Sequence, residues 1–203
     1  SIIGLARESA AAFGKTMRHH EPVVKGSDAG SIFEHLDVEV PAENLCHRYT
    51  ARMVKNVKIA PSPKWLRQRL RANGVRPINN IVDITNYIMM AYGQPLHCFD
   101  ADMIEGKQVI VKTLPEGTSF VTLDGVEHKL SNQDLAICNA KEPMCIAGVF
   151  GGKGSGTYDT TVNVLLESAY FNPTCIRKSA RRHGLNTDAS FRFERGIDPH
   201  GQI

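Results

Sequence analysis

No apolar run in this chain approaches the ~18 residues a membrane-spanning helix needs, so no such helix is expected. Cysteine is sparse and odd in number: Cys46, Cys98, Cys138, Cys145 and Cys175, with no CxxC pair. That pattern argues against a disulfide scaffold and for reduced thiols in a cytoplasmic setting. Cys46-His47 and His97-Cys98 are adjacent potential ligands. Zinc sites usually space their ligands as CxxC or HxxxH, so no metal site is expected. The glycine-rich run Gly148, Gly151, Gly152, Gly154, Gly156 contains neither a Walker loop nor a dinucleotide fingerprint. Position 153, where a Walker loop starting at Gly148 needs glycine, is Lys153, and Thr157 stands where GxGxxG needs its last glycine. Gly154-Ser155-Gly156 lacks the GxSxG spacing of a nucleophile elbow. RRM, KH and zinc-finger signatures are absent too. No charged n-region with an apolar h-region opens the chain, so no targeting peptide is read. The start at Ser1 rather than Met suggests an excised fragment.

What is present is a core-building composition. The chain has 203 residues and is 42% hydrophobic, which fits one large domain or a domain with a short lead segment. Net charge is only +3, but it is uneven: nine Lys or Arg and no Asp or Glu lie between Cys46 and Val82. Arg177, Lys178, Arg181 and Arg182 form a second basic group. Such clusters suit phosphate binding, and equally suit a solvated basic face.

Local signals predict a helix over Ser1–Phe13, stopped by Gly14, then a linker or short strand over 20–36 carrying Gly26, Asp28 and Gly30. Val38–Val40, Tyr49–Val54 and Val57–Ile59 read as strands. Ser62 is the expected cap of a helix with Pro63 in its first turn, Trp65, Leu66 and Leu70 on its apolar face, and Asn73-Gly74 at its end. Asn79 caps a helix to Tyr92 with Ile81, Val82, Ile84, Tyr87, Ile88 and Ala91 as its apolar positions; Asp83 and Asn86 fall off that pattern. Gly93 closes it, and Gln94-Pro95 places His97 in the following loop. Further strands are expected at Gln108–Thr113, Ser119–Leu123, Val126–Leu130, Leu135–Cys138, Met144–Val149 and Val162–Ser168, with Asp124-Gly125 as a hairpin turn. Asn172-Pro173 opens a helix to about Arg182, stopped at His183-Gly184. The fold class is α+β, mixed sheets with flanking helices in β/β/α-type layers. Residues 1–36 form the lead helix and linker, and 37–203 the domain.

Glu167 follows three apolar residues near a strand end, where burial is plausible. Carboxylates are rarely buried without a partner. Arg76, Arg192 or Arg195 could provide a structural ion pair. The glycine run could let a ligand approach the backbone or simply form a bulge and turn.

Two stretches crowd polar, charged and glycine residues more densely than a core segment needs: RPINNIVDITNYIMMAYGQPLHCFD over Arg76–Asp100 and RRHGLNTDASFRFERGIDP over Arg181–Pro199. Both closely resemble the central B3/B4 domain of bacterial phenylalanyl-tRNA synthetase beta subunits, and the resemblance runs over nearly the whole chain. It implies an editing module that hydrolyses tyrosine misattached to tRNA(Phe). It also implies that Glu167 reads the tyrosine hydroxyl, that His97, Asn86 and Thr85 lie near the ester and its attacking water, and that Gly151 and Gly152 of the FGG segment line the amino-acid pocket. Arg76 would hold a phosphate of the terminal adenosine or fix a pocket carboxylate. Thr187 and Ala189 would form the pocket floor. The implied partners are the tRNA(Phe) acceptor end, tyrosine as ligand, and an alpha subunit in an assembly of two alpha and two beta chains. ATP and Mg would serve other regions of the parent enzyme, leaving this segment without a cofactor. A tRNA-positioning or subunit-interface module with a vestigial pocket, and a freestanding deacylase, are the alternatives.

Overall fold

A computed structural model describes residues 1–19, 23 and 30–203. The linker positions Gly26 and Asp28 lie outside the described residues. Helices at α1 (Ile2–Ala12), α2 (Lys64–Ala72), α3 (Asn80–Tyr92), α4 (Pro173–His183) and α5 (Asp188–Phe193) accompany ten strands among the described residues. These are β1 (Asp37–Glu39), β2 (Cys46–Val54), β3 (Leu96–Asp100), β4 (Gln108–Thr113), β5 (Thr118–Val121), β6 (Glu127–Leu130), β7 (Leu135–Cys138), β8 (Pro143–Ile146), β9 (Phe150–Gly151) and β10 (Val164–Phe171). The fold is α+β, as the sequence indicates.

The strands form a five-stranded sheet in the order β1-β4-β7-β8-β9, a three-stranded sheet in the order β2-β10-β3, and the separate hairpin β5-β6. Among the described residues β1 and β4 alone pair in parallel; every other pairing is antiparallel. Along β10, Leu165, Glu167, Ala169 and Phe171 are buried in alternation, the period of a strand with one core face. Leu165, Ala169 and Phe171 join Val109, Val111, Ile137, Ile146, Ile176 and Phe193 in one apolar cluster. The two sheets and helices α4 and α5 therefore share a core, and Glu167 is the charged member of β10's inward row.

Helix boundaries follow their capping chemistry. Asn79 Oδ1 accepts from the backbone N–H groups of Ile81 and Val82, and Gly93 ends α3 in the left-handed conformation at φ 83°. Asn172 caps α4 from Thr174 and Cys175 with Pro173 at its start.

Four expectations are corrected. No strand forms at Val57–Ile59; Val57 only donates to the Val162 carbonyl at 2.8 Å. Ser62 does not cap α2, whose N-cap is Pro63; its hydroxyl donates to Asp83 Oδ2 at 2.5 Å. That bond also sets which face of α3 is buried, against the apolar pattern expected. Asp83 is 1% exposed while Ile84 is 44% exposed, so the buried face of α3 follows the polar anchor rather than the apolar count. Asp83 Oδ1 also accepts from the Ile78 N–H at 2.7 Å, which leaves that carboxylate satisfied. Fourth, His97 is not in a loop. It belongs to β3, which pairs with β10 in place of continuing as coil after Gly93.

Candidate active site

The edge strands β3 and β9 of the two facing sheets leave a small cavity between them, closed on one side by α5. Its volume is about 70 Å³, and its wall includes Leu96, His97, Cys145, Gly151, Glu167, Ala189 and Phe193. An opening of that size holds water molecules but is about half the ~150 Å³ of an engineered cavity that accommodates benzene. An aromatic ring would enter only as side chains in the wall shift.

Glu167 and His97 face each other across the β10–β3 pairing. Directly opposed residues bring their Cβ atoms to about 4.5–5.5 Å. Glu167 is 5% exposed, and burial raises its carboxyl to a pKa of about 7, against a lowering hydrogen bond from Tyr49. The Tyr49 hydroxyl donates to Glu167 Oε2 at 2.9 Å. This replaces the anticipated arginine partner: Arg192 pairs with Asp188, Arg195 with Glu194, and Arg76 is exposed. Burial also pushes the Tyr49 hydroxyl well above its ordinary range, with the Glu167 charge adding to the effect.

His97 retains some exposure as a residue, yet its Nε2 is buried and has no hydrogen-bond partner among the described residues. Burial lowers its pKa to about 4, so the imidazole is neutral at pH 7. A neutral ring with one free nitrogen can orient a water. At a pKa near 4 it is a weak base, because an efficient general base has a pKa near the working pH.

The other residues singled out from sequence divide into two groups. Gly151 and Ala189 line the cavity with Glu167 and His97. Close approach crowds Gly151: a Cβ there would meet Leu123 Cδ1 at 2.9 Å and His97 Cε1 at 3.0 Å. Thr187 caps α5 instead of lining the cavity. Its hydroxyl accepts from the Ser190 N–H and donates to the Val149 carbonyl, both at 3.0 Å, which anchors α5 beside the wall. Gly152 lines a separate cavity of about 510 Å³ beside β5. Thr85 is buried with its hydroxyl on the Val82 carbonyl at 2.8 Å, Asn86 is half-buried on α3, and Arg76 is exposed; none of the three lines the small cavity. Sequence reasoning missed Tyr49, Cys145, Val149 and Phe193. Only the helix start at Thr187 had a local signal, its capping box with Ser190.

A wider depression of about 690 Å³ lies near His35, Lys55, Asp102 and Lys107, away from Glu167 and His97. Its lysines are offset by Asp102 and Glu105, and the partnerless buried nitrogen of His97 is elsewhere. Among the described residues no group of three or more His, Cys, Asp or Glu is arranged to hold a metal ion. All five cysteines are free and buried.

The cavity thus holds a recessed carboxyl opposite a neutral imidazole. The family profile described as "B3/4 domain" matches residues 45–203, and this chain belongs to that family. Phenylalanine–tRNA ligase beta subunits are its relatives. That of Bacteroides thetaiotaomicron is 62% identical over 192 residues, covering 94% of this chain and 23% of the relative. That of Bdellovibrio bacteriovorus is 48% identical over 203 residues, covering all of this chain and 25% of the relative. The chain thus spans about a quarter of the length of these curated relatives. A crystal structure of an N-terminal fragment of the phenylalanyl-tRNA synthetase beta subunit from Pyrococcus horikoshii shares the fold at a TM-score of 0.50. It is 12% identical, with 90% of this chain and 57% of that chain covered.

Proposed function

We propose that this chain is the editing segment of a phenylalanine–tRNA ligase beta subunit and hydrolyses the ester of Tyr-tRNA(Phe). The observation that carries this reading is the pairing, across one small cavity, of a buried carboxyl without a cation and a buried imidazole nitrogen without a partner. Two such groups are costly to keep in an apolar seam unless a ligand satisfies them. A tyrosyl ester matches both. Its phenol O–H donates to Glu167, and the water that attacks its carbonyl is held by His97 Nε2. The water oxygen bonds to the carbonyl carbon, the bond from that carbon to the ribose oxygen breaks, and the water's proton passes to the ribose oxygen.

The chemistry suits an enzyme selective for phenylalanine. An apolar synthetic pocket cannot strongly reject an isostere that adds a hydroxyl. A second site built to bind that hydroxyl can reject the ligand lacking it by ~10⁴–10⁵, or roughly 5–7 kcal/mol. In this reading the tRNA(Phe) acceptor end and an alpha subunit are partners, ATP and Mg act elsewhere in the parent enzyme, and the setting is cytoplasmic. A second reading, a positioning or subunit-interface module with a vestigial pocket, is favoured by the exposure of Ile2 and Leu5 on α1 and Phe13 just after it, and by the narrowness of the cavity.

Deacylation of Tyr-tRNA(Phe) and Phe-tRNA(Phe) by the intact alpha–beta enzyme, with Glu167 and with Glu167→Ala, separates the two. Selective clearance of the tyrosyl ester by the parent enzyme, lost in the variant, supports editing. Equal behaviour of the folded variant and the parent makes Glu167 structural and the interface reading the better one.

A further inference from the structure

The bond between Tyr49 and Glu167 joins two strands far apart in sequence, and the proposed reaction does not require it. Tyr49 lies on β2 opposite Ala169, while Glu167 lies opposite Ala51, so the two side chains are diagonal neighbours on one face of the sheet. The Tyr49 ring packs against the shared core, which fixes where its hydroxyl points. That hydroxyl engages Oε2 alone, at 2.9 Å. Oε1 has no protein partner among the described hydrogen bonds, and Glu167 lines the cavity. A carboxyl free to rotate would offer either oxygen in many orientations. Held by a ring that core packing fixes, it offers one.

We propose that Tyr49 is a positioning residue for substrate selection: by holding Oε2 of Glu167 it presents Oε1 to the hydroxyl of an incoming phenol. The proposal rests on the reading of the cavity as a site for a tyrosyl ester. In the empty site Tyr49 is itself a phenol bound to the recognition carboxyl. In the loaded site the carboxyl accepts two phenolic O–H groups, one from the protein and one from the substrate. The titratable groups around Glu167 are Tyr49 and Cys46 from β2, His97 from β3 and Cys145 from β8. None is a cation at pH 7, because burial keeps His97 neutral. The Tyr49 hydroxyl is thus the group that opposes burial and favours the charged carboxyl.

Tyr49→Phe keeps the ring and removes the hydroxyl. In the intact alpha–beta enzyme, kcat/KM for the tyrosyl ester should fall about tenfold, chiefly through KM. The phenylalanyl ester should change by less than twofold. The pH at which tyrosyl preference reaches half its maximum should move to a higher value, since one hydrogen bond to the carboxylate is gone. In a Glu167→Ala background, Tyr49→Phe should cost nothing further, because it acts through that carboxyl. Equal losses on both esters, an unmoved pH profile, or a full additional loss in the Glu167→Ala background would each make Tyr49 a packing residue and overturn the proposal. Should the enzyme with unaltered Glu167 and Tyr49 fail to prefer the tyrosyl ester at all, the editing reading falls and Tyr49's role falls with it. Preference retained in the parent and unchanged in Tyr49→Phe removes only the role given to Tyr49. Urea midpoints measured on each variant confirm that folded enzymes are being compared.

Discussion

At the scale of single residues, the two facing groups of the cavity have opposite linkage to folding. An isolated carboxyl taken out of water favours its neutral form, and Glu167 moves from an ordinary 4.5 to about 7 on burial. Below pH 4.5 the carboxyl is protonated in the folded and unfolded chains alike. Between that point and about 7, the folded chain holds a proton the unfolded chain has lost, so stability falls as pH rises. His97 runs the other way: its pKa drops from 6.5 to about 4, so its neutral form supports folding above 6.5 and that support is lost as pH falls through 4. Glu167→Gln keeps the shape and removes the ionisation. It should stabilise the protein by about 1–3 kcal/mol at pH 8 and by nothing measurable at pH 4. Urea unfolding at the two pH values reads the difference directly. A variant weaker than the parent at pH 8 would mean that the charged form of Glu167 contributes to the fold.

At the scale of elements, β9 and the turn before it use glycine for two different reasons, and substitution separates them. Gly151 is in an ordinary backbone region and is crowded only by the ends of side chains: Leu123 Cδ1 at 2.9 Å and His97 Cε1 at 3.0 Å. Leu123 is half exposed and can swing away, whereas the His97 ring forms part of the cavity wall. Gly151→Ala should therefore cost under about 1 kcal/mol in stability and, under the proposed editing function, at least tenfold in tyrosyl deacylation. Gly148 sits at φ 66°, with a would-be Cβ 2.9 Å from Phe193 and 3.1 Å from Phe171, both core rings. Strain and overpacking then add, and Gly148→Ala should cost about 2–4 kcal/mol. Thermal melts beside deacylation rates test the pair; a larger stability loss at Gly151 would reverse the argument. The same scale explains what the sequence discloses. Asn79, Gly93, Asn172, Pro173 and Gly184 act on backbone within a few residues, so the ends of α3 and α4 are legible. The hairpin turn at Gly125, with φ 83°, is local in the same way. Strand β3 is not, because Leu96–Asp100 becomes a strand only through β10, whose matching residues lie about seventy positions away. Of the residues lining the small cavity, Glu167, His97, Gly151 and Ala189 could be picked out by resemblance. Tyr49 could not, since its one telling contact spans 118 positions.

At the scale of the whole molecule, one carboxylate ties the five-stranded sheet to helix α4, which leads into the helix that closes the cavity. Asp134 lies in the turn between β6 and β7, and its side chain is fully buried. It accepts from the Ser131 N–H at 2.9 Å and the Ser179 hydroxyl at 2.6 Å, and it pairs with His183 Nε2 at 2.7 Å and with Arg182. Ser179, Arg182 and His183 all belong to α4, so the carboxylate fastens the last two turns of that helix to the sheet. Helix α5 follows across Gly184–Thr187 and delivers Ala189 and Phe193 to the cavity wall. Burial alone would raise the Asp134 carboxyl, but the hydrogen bonds from Ser179, Ser131 and His183 and the Arg182 charge together hold it below its ordinary 3.8. Its contribution to folding is therefore complete above about pH 4 and disappears as pH falls through the depressed value. Asp134→Ala leaves Ser179, His183 and the Arg182 charge without their shared acceptor. The expected cost at pH 7 is about 1–3 kcal/mol, because Ser179 and His183 lose a buried acceptor while Arg182 reaches solvent. Asp134→Asn keeps one acceptor and should cost less. Because the parent loses the same contribution in acid, its advantage over Asp134→Ala should narrow at pH 3. Urea unfolding of parent and variants at pH 7 and pH 3 decides the matter: a gap that stays constant between the two would show that the side chain's volume, and not its charge, holds α4 to the sheet.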